Sequence, residues 1–207
     1  MQVMQFRPLP AAALALCLCF LAQQGLARDW YAARGARPPK GDRVYVCHGY
    51  DCRLMTPVRL SEADLAKIAA PLKTGGKDAE TEREALSRSV QVFEAIVGAR
   101  IGTSGDLPGM QFGRPRADQM DCIDEATNTT SLLRVLAARD LLKHHLVAEP
   151  MARGFFLDGR YPHATAVLRE SVGELEWAID SWPAANGEPP LIQPLAQWLR
   201  ARRSPAS

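Results

Sequence analysis

The sequence lacks a strong excess of charge of either sign. Its 25 lysine and arginine residues face 23 aspartate and glutamate residues, so the formal net charge is only +2 at pH 7. Proteins that bind nucleic acid present a basic patch or stripe to the phosphate groups, and this chain has no polybasic run. Nucleic acid is therefore excluded as an expected partner.

Long apolar runs are also scarce. One apolar run covers residues 11–22, after the single charge of Arg7, and small residues follow at Gly25 and Ala27. This pattern predicts a secretory signal peptide over residues 1–27. The run is shorter than the roughly 20 residues of a bilayer-spanning helix, and no later run replaces it. We expect an exported protein, periplasmic or secreted, with no stable membrane insertion after cleavage.

The chain contains neither an internal repeat nor a low-complexity tract. The residues that follow the signal peptide suit one domain with a sizeable core. Residues 28–40 are rich in Arg, Ala, Gly and Pro without apolar periodicity, so they predict a flexible, loosely held entry segment. Residues 41–207 are expected to form the single domain.

Cysteine is rare, and three cysteines remain beyond the predicted signal: Cys47, Cys52 and Cys122. In an oxidising compartment, the close pair Cys47 and Cys52 predicts a disulfide. A metal site built from this pair and His48 is the alternative interpretation. Cys122 is left as a thiol without an obvious partner.

Capping residues and apolar spacing predict helices. Ser61 begins the first helix, which is expected to end at Pro71. A longer amphipathic helix is predicted over residues 78–97, closed by Gly98, and a third begins at Cys122.

The later part of the chain has short apolar or alternating runs between Pro and Gly residues, which are typical of antiparallel strands. With an earlier short strand and a terminal helix, this order predicts an α+β fold. The predicted strands cover residues 42–46, 145–147, 154–157, 164–168 and 176–182, and the terminal helix covers residues 194–203.

Three residues follow the order of a catalytic triad. Cys122 opens a helix, where the helix dipole favours a thiolate, and His163 and Asp180 lie on consecutive predicted strands. A turn near Gly173 would place these two at similar heights, so that Asp180 could orient the imidazole. The pattern indicates a nucleophile, a general base and an orienting acid. Gln119 is a candidate donor to an oxyanion, beside the backbone N–H of Cys122.

Three sequence segments resemble the transglutaminase-like branch of the papain-like cysteine peptidase superfamily. They are Asp121-Cys122-Ile123, His163-Ala164-Thr165-Ala166-Val167 and Trp177-Ala178-Ile179-Asp180-Ser181-Trp182, and the similarity extends from residue 119 to residue 183. Two positions depart from the family pattern. Ile123 stands where the family has a Trp directly after the nucleophile, and Thr165 stands where a Trp shortly follows the histidine.

The resemblance implies the roles of nucleophile for Cys122, general base for His163 and orienting acid for Asp180. It also implies a papain- or transglutaminase-like core, in which the nucleophile helix packs on an antiparallel sheet. The expected activity is amide hydrolysis or acyl transfer through a thioester, without a cofactor, on a peptide, protein or cell-wall amide. The whole chain also resembles small secreted proteins of unknown function from Gram-negative bacteria, which suggests the periplasm.

Each of these residues also has a structural interpretation. Cys122 could be a small buried apolar residue, His163 a hydrogen-bonded strand histidine and Asp180 a turn cap. The domain would then be a catalytically silent papain-like domain that binds a peptide or an envelope partner. A metal site of His144 or His145 with His163 and Asp180 is a further alternative, although its spacing is not diagnostic. The substrate, hydrolysis against transfer, and the oligomeric state stay open.

Acidic residues crowd the start of the Cys122 helix. Asp121, Asp124 and Glu125 suit the positive end of the helix dipole, but their charges also oppose ionisation of a neighbouring thiol. The sequence leaves open which effect dominates.

Overall fold

The computed structural model describes residues 29–109, 116–154 and 162–201. The signal-peptide prediction and residues 155–157 of one predicted strand lie outside this part. The helices are α1 (Trp30–Ala33), α2 (Glu62–Gly75), α3 (Ala79–Ile101), α4 (Cys122–Ala137) and α5 (Leu195–Arg200). The strands are β1 (Arg43–His48), β2 (Leu54–Arg59), β3 (His145–Val147), β4 (Met151–Arg153), β5 (His163–Glu170), β6 (Glu176–Asp180) and β7 (Leu191–Pro194).

The helix starts are fixed by local hydrogen bonds. Ser61 and Asp78 each accept the backbone N–H of the residue three positions later, which completes a capping box at the start of α2 and of α3. These reciprocal bonds satisfy N–H groups that a helix leaves without partners. The predicted starts of both helices are confirmed.

The predicted ends of these helices are wrong. Pro71 lies inside α2, which continues to Gly75 because buried Leu72 still packs in the core. Gly98 lies inside α3 and leaves room for a neighbour, since a Cβ there would come within 2.9 Å of the Asn186 amide. The helix ends at Gly102, whose φ of 84° is the left-handed conformation that glycine adopts without steric cost.

The strands form two antiparallel sheets. In the smaller sheet, β1 pairs with β2. In the larger sheet the order is β3-β5-β6-β7, and β4 also pairs with β5. Helices packed with antiparallel sheets confirm the α+β class. Three strands were not predicted. β2 and β7 each contain a proline, a residue that argues against a strand. β4 lies just before the strand predicted from Gly154, and Gly154 itself is outside any strand.

Helix α4 contacts strands of both sheets, most extensively β5 and β1. Its apolar residues Leu132, Leu133 and Leu136 are fully buried in the main core with Leu86 and Phe93 of α3. Helix α4 is therefore held between the two sheets. None of the helices in the described part of the chain combines the length and apolar character that a bilayer crossing requires.

The entry segment packs against α4. Trp30 and Tyr31 are buried, the Trp30 indole N–H donates to Thr127 Oγ1 at 2.9 Å, and the Tyr31 hydroxyl lies 2.9 Å from Ser131 Oγ. The prediction of a loosely held segment over residues 28–40 missed this packing, because two aromatic residues in a short helix produce no recognisable periodicity.

Candidate functional site

Cys122 occupies the first turn of α4. Asp121 is the N-cap: its Oδ1 accepts the backbone N–H groups of Ile123 at 3.0 Å and Asp124 at 2.9 Å. Asp124 Oδ2 accepts the backbone N–H of Asp121 in return, at 3.3 Å. The predicted helix start at Cys122 is confirmed, and its thiol is free and buried.

The Cys47–Cys52 disulfide is present, as predicted. It closes a loop in which Gly49, Tyr50, Asp51 and Cys52 all have positive φ, between 51° and 78°. Consecutive left-handed residues turn their backbone N–H groups toward a common centre, which suits an anion. We call residues 49–52 the left-handed loop.

The left-handed loop surrounds the carboxylates at the start of α4. Backbone N–H groups of Tyr50 and Cys52 donate to Asp124 at 2.8 and 2.7 Å, and that of Asp51 donates to Asp121 Oδ2 at 3.0 Å. The disulfide thus orders donors for acids that flank the candidate nucleophile. Burial raises the pKa of Asp121, and burial together with the charge of Asp121 raises that of Asp124 to about 8.

The environment of the thiol opposes ionisation. Burial raises the pKa of Cys122 to about 12, and the negative charges of Asp121 and Asp180 contribute to the rise. A hydrogen bond from the backbone N–H of Ala164 lowers the pKa of Cys122, but less than burial raises it. The charge of Asp121 thus acts on the thiol in the direction that opposes ionisation.

His163 and Asp180 lie together, as the sequence predicted. The ladder pairs Ala166 with Ile179, which makes His163 and Asp180 diagonal neighbours on one face of β5 and β6. His163 Nε2 lies 2.6 Å from Asp180 Oδ2, and both side chains are buried. This arrangement is the imidazole–carboxylate contact that a catalytic triad would require.

Tryptophan residues complete the environment of this pair. The Trp198 indole N–H donates to Asp180 Oδ2 at 2.9 Å, and the ring centroids of Trp182 and Trp198 lie 4.7 and 5.4 Å from that of His163. An indole donor gives no signal in the sequence until the fold brings it to an acceptor. Sequence reasoning therefore missed the contact of Trp198 with Asp180.

Cys122 and His163 line one cleft of about 390 Å³, together with residues of α1, β4 and β5. The cleft is lined by Arg34, Asp121, Cys122, Ile123, Ala152, Arg153, Gly154, Pro162, His163 and Ala164. His163 Nδ1 is buried and has no hydrogen-bond partner among the described residues. No hydrogen bond therefore joins imidazole and thiol in this resting arrangement, and Nδ1 is the nitrogen left to accept a proton.

Gln119 does not line this cleft. Its side-chain N–H donates to the carbonyls of Gly105 and Asp118, at 2.9 and 3.1 Å, and its carbonyl accepts the N–H of Leu107 at 3.1 Å. The amide that the sequence proposed for an oxyanion instead anchors the loop after α3. With Gln119 engaged elsewhere, the backbone N–H of Cys122 is the remaining candidate donor to an oxyanion.

Buried acids lie behind the site. Glu125 of α4 accepts a hydrogen bond from the hydroxyl of Ser181 at 2.8 Å, and Ser181 directly follows Asp180 in the chain. Burial raises the pKa of Glu125 well above its usual range, and the charges of Glu94 and Asp106 add to the rise. Burial also raises the pKa of Glu94 to about 8 and that of Asp106 to about 7. This cluster could not be predicted from the sequence, since its members come from separate elements.

The structure separates the residues of the proposed histidine metal site. His145 lies on β3 opposite Glu170, and Glu170 is at the other end of β5 from His163. Its Nδ1 lies 2.8 Å from Glu82 Oε1. Among the described residues, only Cys47, Cys52 and Asp124 bring three potential ligand atoms within 4.8 Å of one another. Both sulfurs of that group are consumed in the disulfide, so the thiolates that a metal would need are absent.

Neither known family models, nor curated proteins, nor solved structures give a match to this chain.

Proposed function

We propose that this protein is an exported, cysteine-dependent amide hydrolase or acyl transferase of the papain- and transglutaminase-like type. Cys122 is the nucleophile, His163 the general base and Asp180 the orienting acid. The observation that carries the proposal is the buried 2.6 Å contact of His163 with Asp180, which leaves Nδ1 unpartnered at a cleft that also contains Cys122. The disulfide is consistent with an oxidising compartment, and we propose the periplasm or the exterior of a Gram-negative cell.

In the proposed reaction, His163 Nδ1 takes the proton of the Cys122 thiol as sulfur attacks the amide carbonyl. Asp180 stabilises the imidazolium that forms, and the backbone N–H of Cys122 donates to the oxyanion. The C–N bond then breaks, and the amine leaves with the proton from His163. Water or a second amine attacks the thioester, gives its proton to His163, and releases the Cys122 sulfur, which regains the proton. The substrate is a peptide, protein or cell-wall amide.

A second candidate is a catalytically silent papain-like domain that binds a peptide or an envelope partner. The observation that favours it is the raised pKa of Cys122, about 12, with no hydrogen bond to the imidazole. A nucleophile that ionises readily usually has the opposite environment.

Alkylation of Cys122 by iodoacetamide across pH separates the two candidates. A pKa of about 12 instead of 9.0 makes the thiolate about 10³-fold rarer near neutral pH. The greater nucleophilicity of the more basic thiolate recovers about 20-fold, so an unassisted Cys122 should react roughly 50-fold more slowly than a small thiol. Labelling is measured by mass spectrometry of the peptide that contains Cys122.

If the triad operates, the parent reacts faster than a small thiol near neutral pH, and His163→Ala removes the acceleration. Lys73→Ala is the control. Lys73 is exposed and does not line the cleft, so this substitution should leave the rate unchanged. Slow labelling that rises only at high pH and ignores His163→Ala would refute catalysis and favour the silent domain.

A further inference from the structure

Arg34 is a cation at the cleft that the proposed reaction does not use. It is the C-cap of α1, and its guanidinium carbon lies 4.6 Å from the centroid of the Trp30 ring. Trp30 is in turn fixed to α4 by its hydrogen bond to Thr127. The side chain therefore stands on a rigid base beside Cys122, although it comes from a distant part of the sequence.

The guanidinium of Arg34 has unused hydrogen-bonding capacity. Its Nε is buried and has no hydrogen-bond partner among the described residues. The acid paired with it is Asp51, an exposed side chain whose Oδ1 lies 3.8 Å from Nη1, beyond hydrogen-bonding distance. A buried N–H without an acceptor is costly, and a planar guanidinium matches a carboxylate well.

The other charged groups of the cleft are already engaged. Arg153 places its guanidinium 4.3 Å from the Trp198 ring centroid and donates to the carbonyls of Trp198 and Ala201. Asp121 accepts backbone N–H groups at the helix start, and Asp180 accepts from His163 and Trp198. Of the two arginines that line the cleft, Arg34 is the one whose guanidinium makes no hydrogen bond to a described residue.

We propose that Arg34 binds a carboxylate of the substrate, so that Cys122 acts on amides that carry a carboxylate close to the scissile bond. The assignment rests on the proposed function. It defines the substrate class as an acidic acyl or amine component, with the carboxylate supplied either by a chain terminus or by an acidic side chain.

The test compares two alkylating agents of similar size, of which only one carries a negative charge that Arg34 could bind. Iodoacetate carries a carboxylate, iodoacetamide is neutral, and each transfers its carbon to the Cys122 sulfur with loss of iodide. The ratio of their rate constants at Cys122, relative to the same ratio for a small thiol, measures recognition of the negative charge. A charge-assisted hydrogen bond should raise this ratio about tenfold in the parent.

Arg34→Gln should lower the iodoacetate rate about tenfold more than the iodoacetamide rate and so abolish the preference, and Arg34→Lys should retain part of the preference. Arg37→Gln is the matched control, since Arg37 lies over Tyr45 and does not line the cleft, and it should preserve the ratio. An unchanged ratio in Arg34→Gln, or an equal fall of both rates, would overturn the assignment with the thiol mechanism intact. A Cys122 inert to both reagents would instead refute the proposed function, and the assignment with it.

Protection experiments identify the source of the carboxylate. N-acetyl-alanylalanine has a terminal carboxylate, N-acetyl-glutamic acid α-amide has a side-chain carboxylate, and N-acetyl-alanylalanine amide is the neutral control. The compound that slows iodoacetamide labelling of the parent but not of Arg34→Gln indicates the source. Equal protection by the neutral control, or protection that survives Arg34→Gln, would contradict carboxylate binding at Arg34.

Discussion

Cys47→Ala combined with Cys52→Ala should destabilise both the fold and the start of α4. The disulfide closes a loop with a sequence separation of 5. In the chain-entropy description, removing a cross-link of this size costs about 2 kcal/mol of unfolding free energy. Tyr50, Asp51 and Cys52 are also non-glycine residues at positive φ, a conformation that costs on the order of 1 kcal/mol for each residue.

Without the disulfide, the left-handed loop can relax to ordinary backbone angles and withdraw its N–H groups. Buried Asp124 and half-buried Asp121 would then have fewer donors, and each unsatisfied acceptor costs about 1–3 kcal/mol. Three acceptor atoms lose a donor, at a cost of about 3–9 kcal/mol, and relaxation of the three strained residues returns about 3 kcal/mol. With the chain-entropy cost, we expect a total loss of about 2–8 kcal/mol of unfolding free energy.

Urea unfolding followed by tryptophan fluorescence measures the total loss. Amide hydrogen exchange at Tyr50, Asp51 and Cys52 measures the local effect, because these N–H groups donate in the intact protein and should lose protection in the variant. The parent protein with its disulfide reduced is the matched control, since it retains both sulfur atoms. A loss near 2 kcal/mol with all three amides still protected would refute the reasoning, because the disulfide would then act on the unfolded chain alone.

Three further outcomes are expected. Asp180→Asn should lower the alkylation rate of Cys122 near neutral pH on the order of tenfold or more, because a neutral amide stabilises the His163 imidazolium poorly; an unchanged rate in the same labelling assay would contradict the orienting role. Trp198→Phe should lower the free energy of urea unfolding by about 2–4 kcal/mol, because it leaves a cavity and removes a donor from buried Asp180; a loss below about 1 kcal/mol would show that this hydrogen bond is dispensable. Glu125→Gln should weaken the pH dependence of stability. Burial holds the pKa of Glu125 above its unfolded value of 4.5, so the folded parent binds more protons and loses stability as pH rises from that value. Urea unfolding at about pH 5 and about pH 8.5 checks this, and a parent that gains stability over that range would contradict it.

Features that depend on near neighbours could be predicted from the sequence. The starts of α2, α3 and α4 follow from Ser61, Asp78 and Asp121, whose side chains reach N–H groups within a few positions. The Cys47–Cys52 pairing needs only a short loop. The strand positions of His163 and Asp180 follow from alternation around a hairpin. In each case the interacting groups are close in the chain, so local geometry leaves few alternatives.

Features that depend on distant segments required the folded structure. Pro71 and Gly98 end a helix in most contexts, yet here the packing of Leu72 and the approach of Asn186 keep both inside helices.

The same holds within the candidate site. The sequence contains Arg34, Trp198 and Glu125 but gives no sign that they gather around Cys122 and Asp180. Their encounter depends on how α1, α4 and α5 pack on the larger sheet. The pKa of the thiol depends on it as well, because desolvation is a property of everything that surrounds the sulfur and not of its neighbours in the chain.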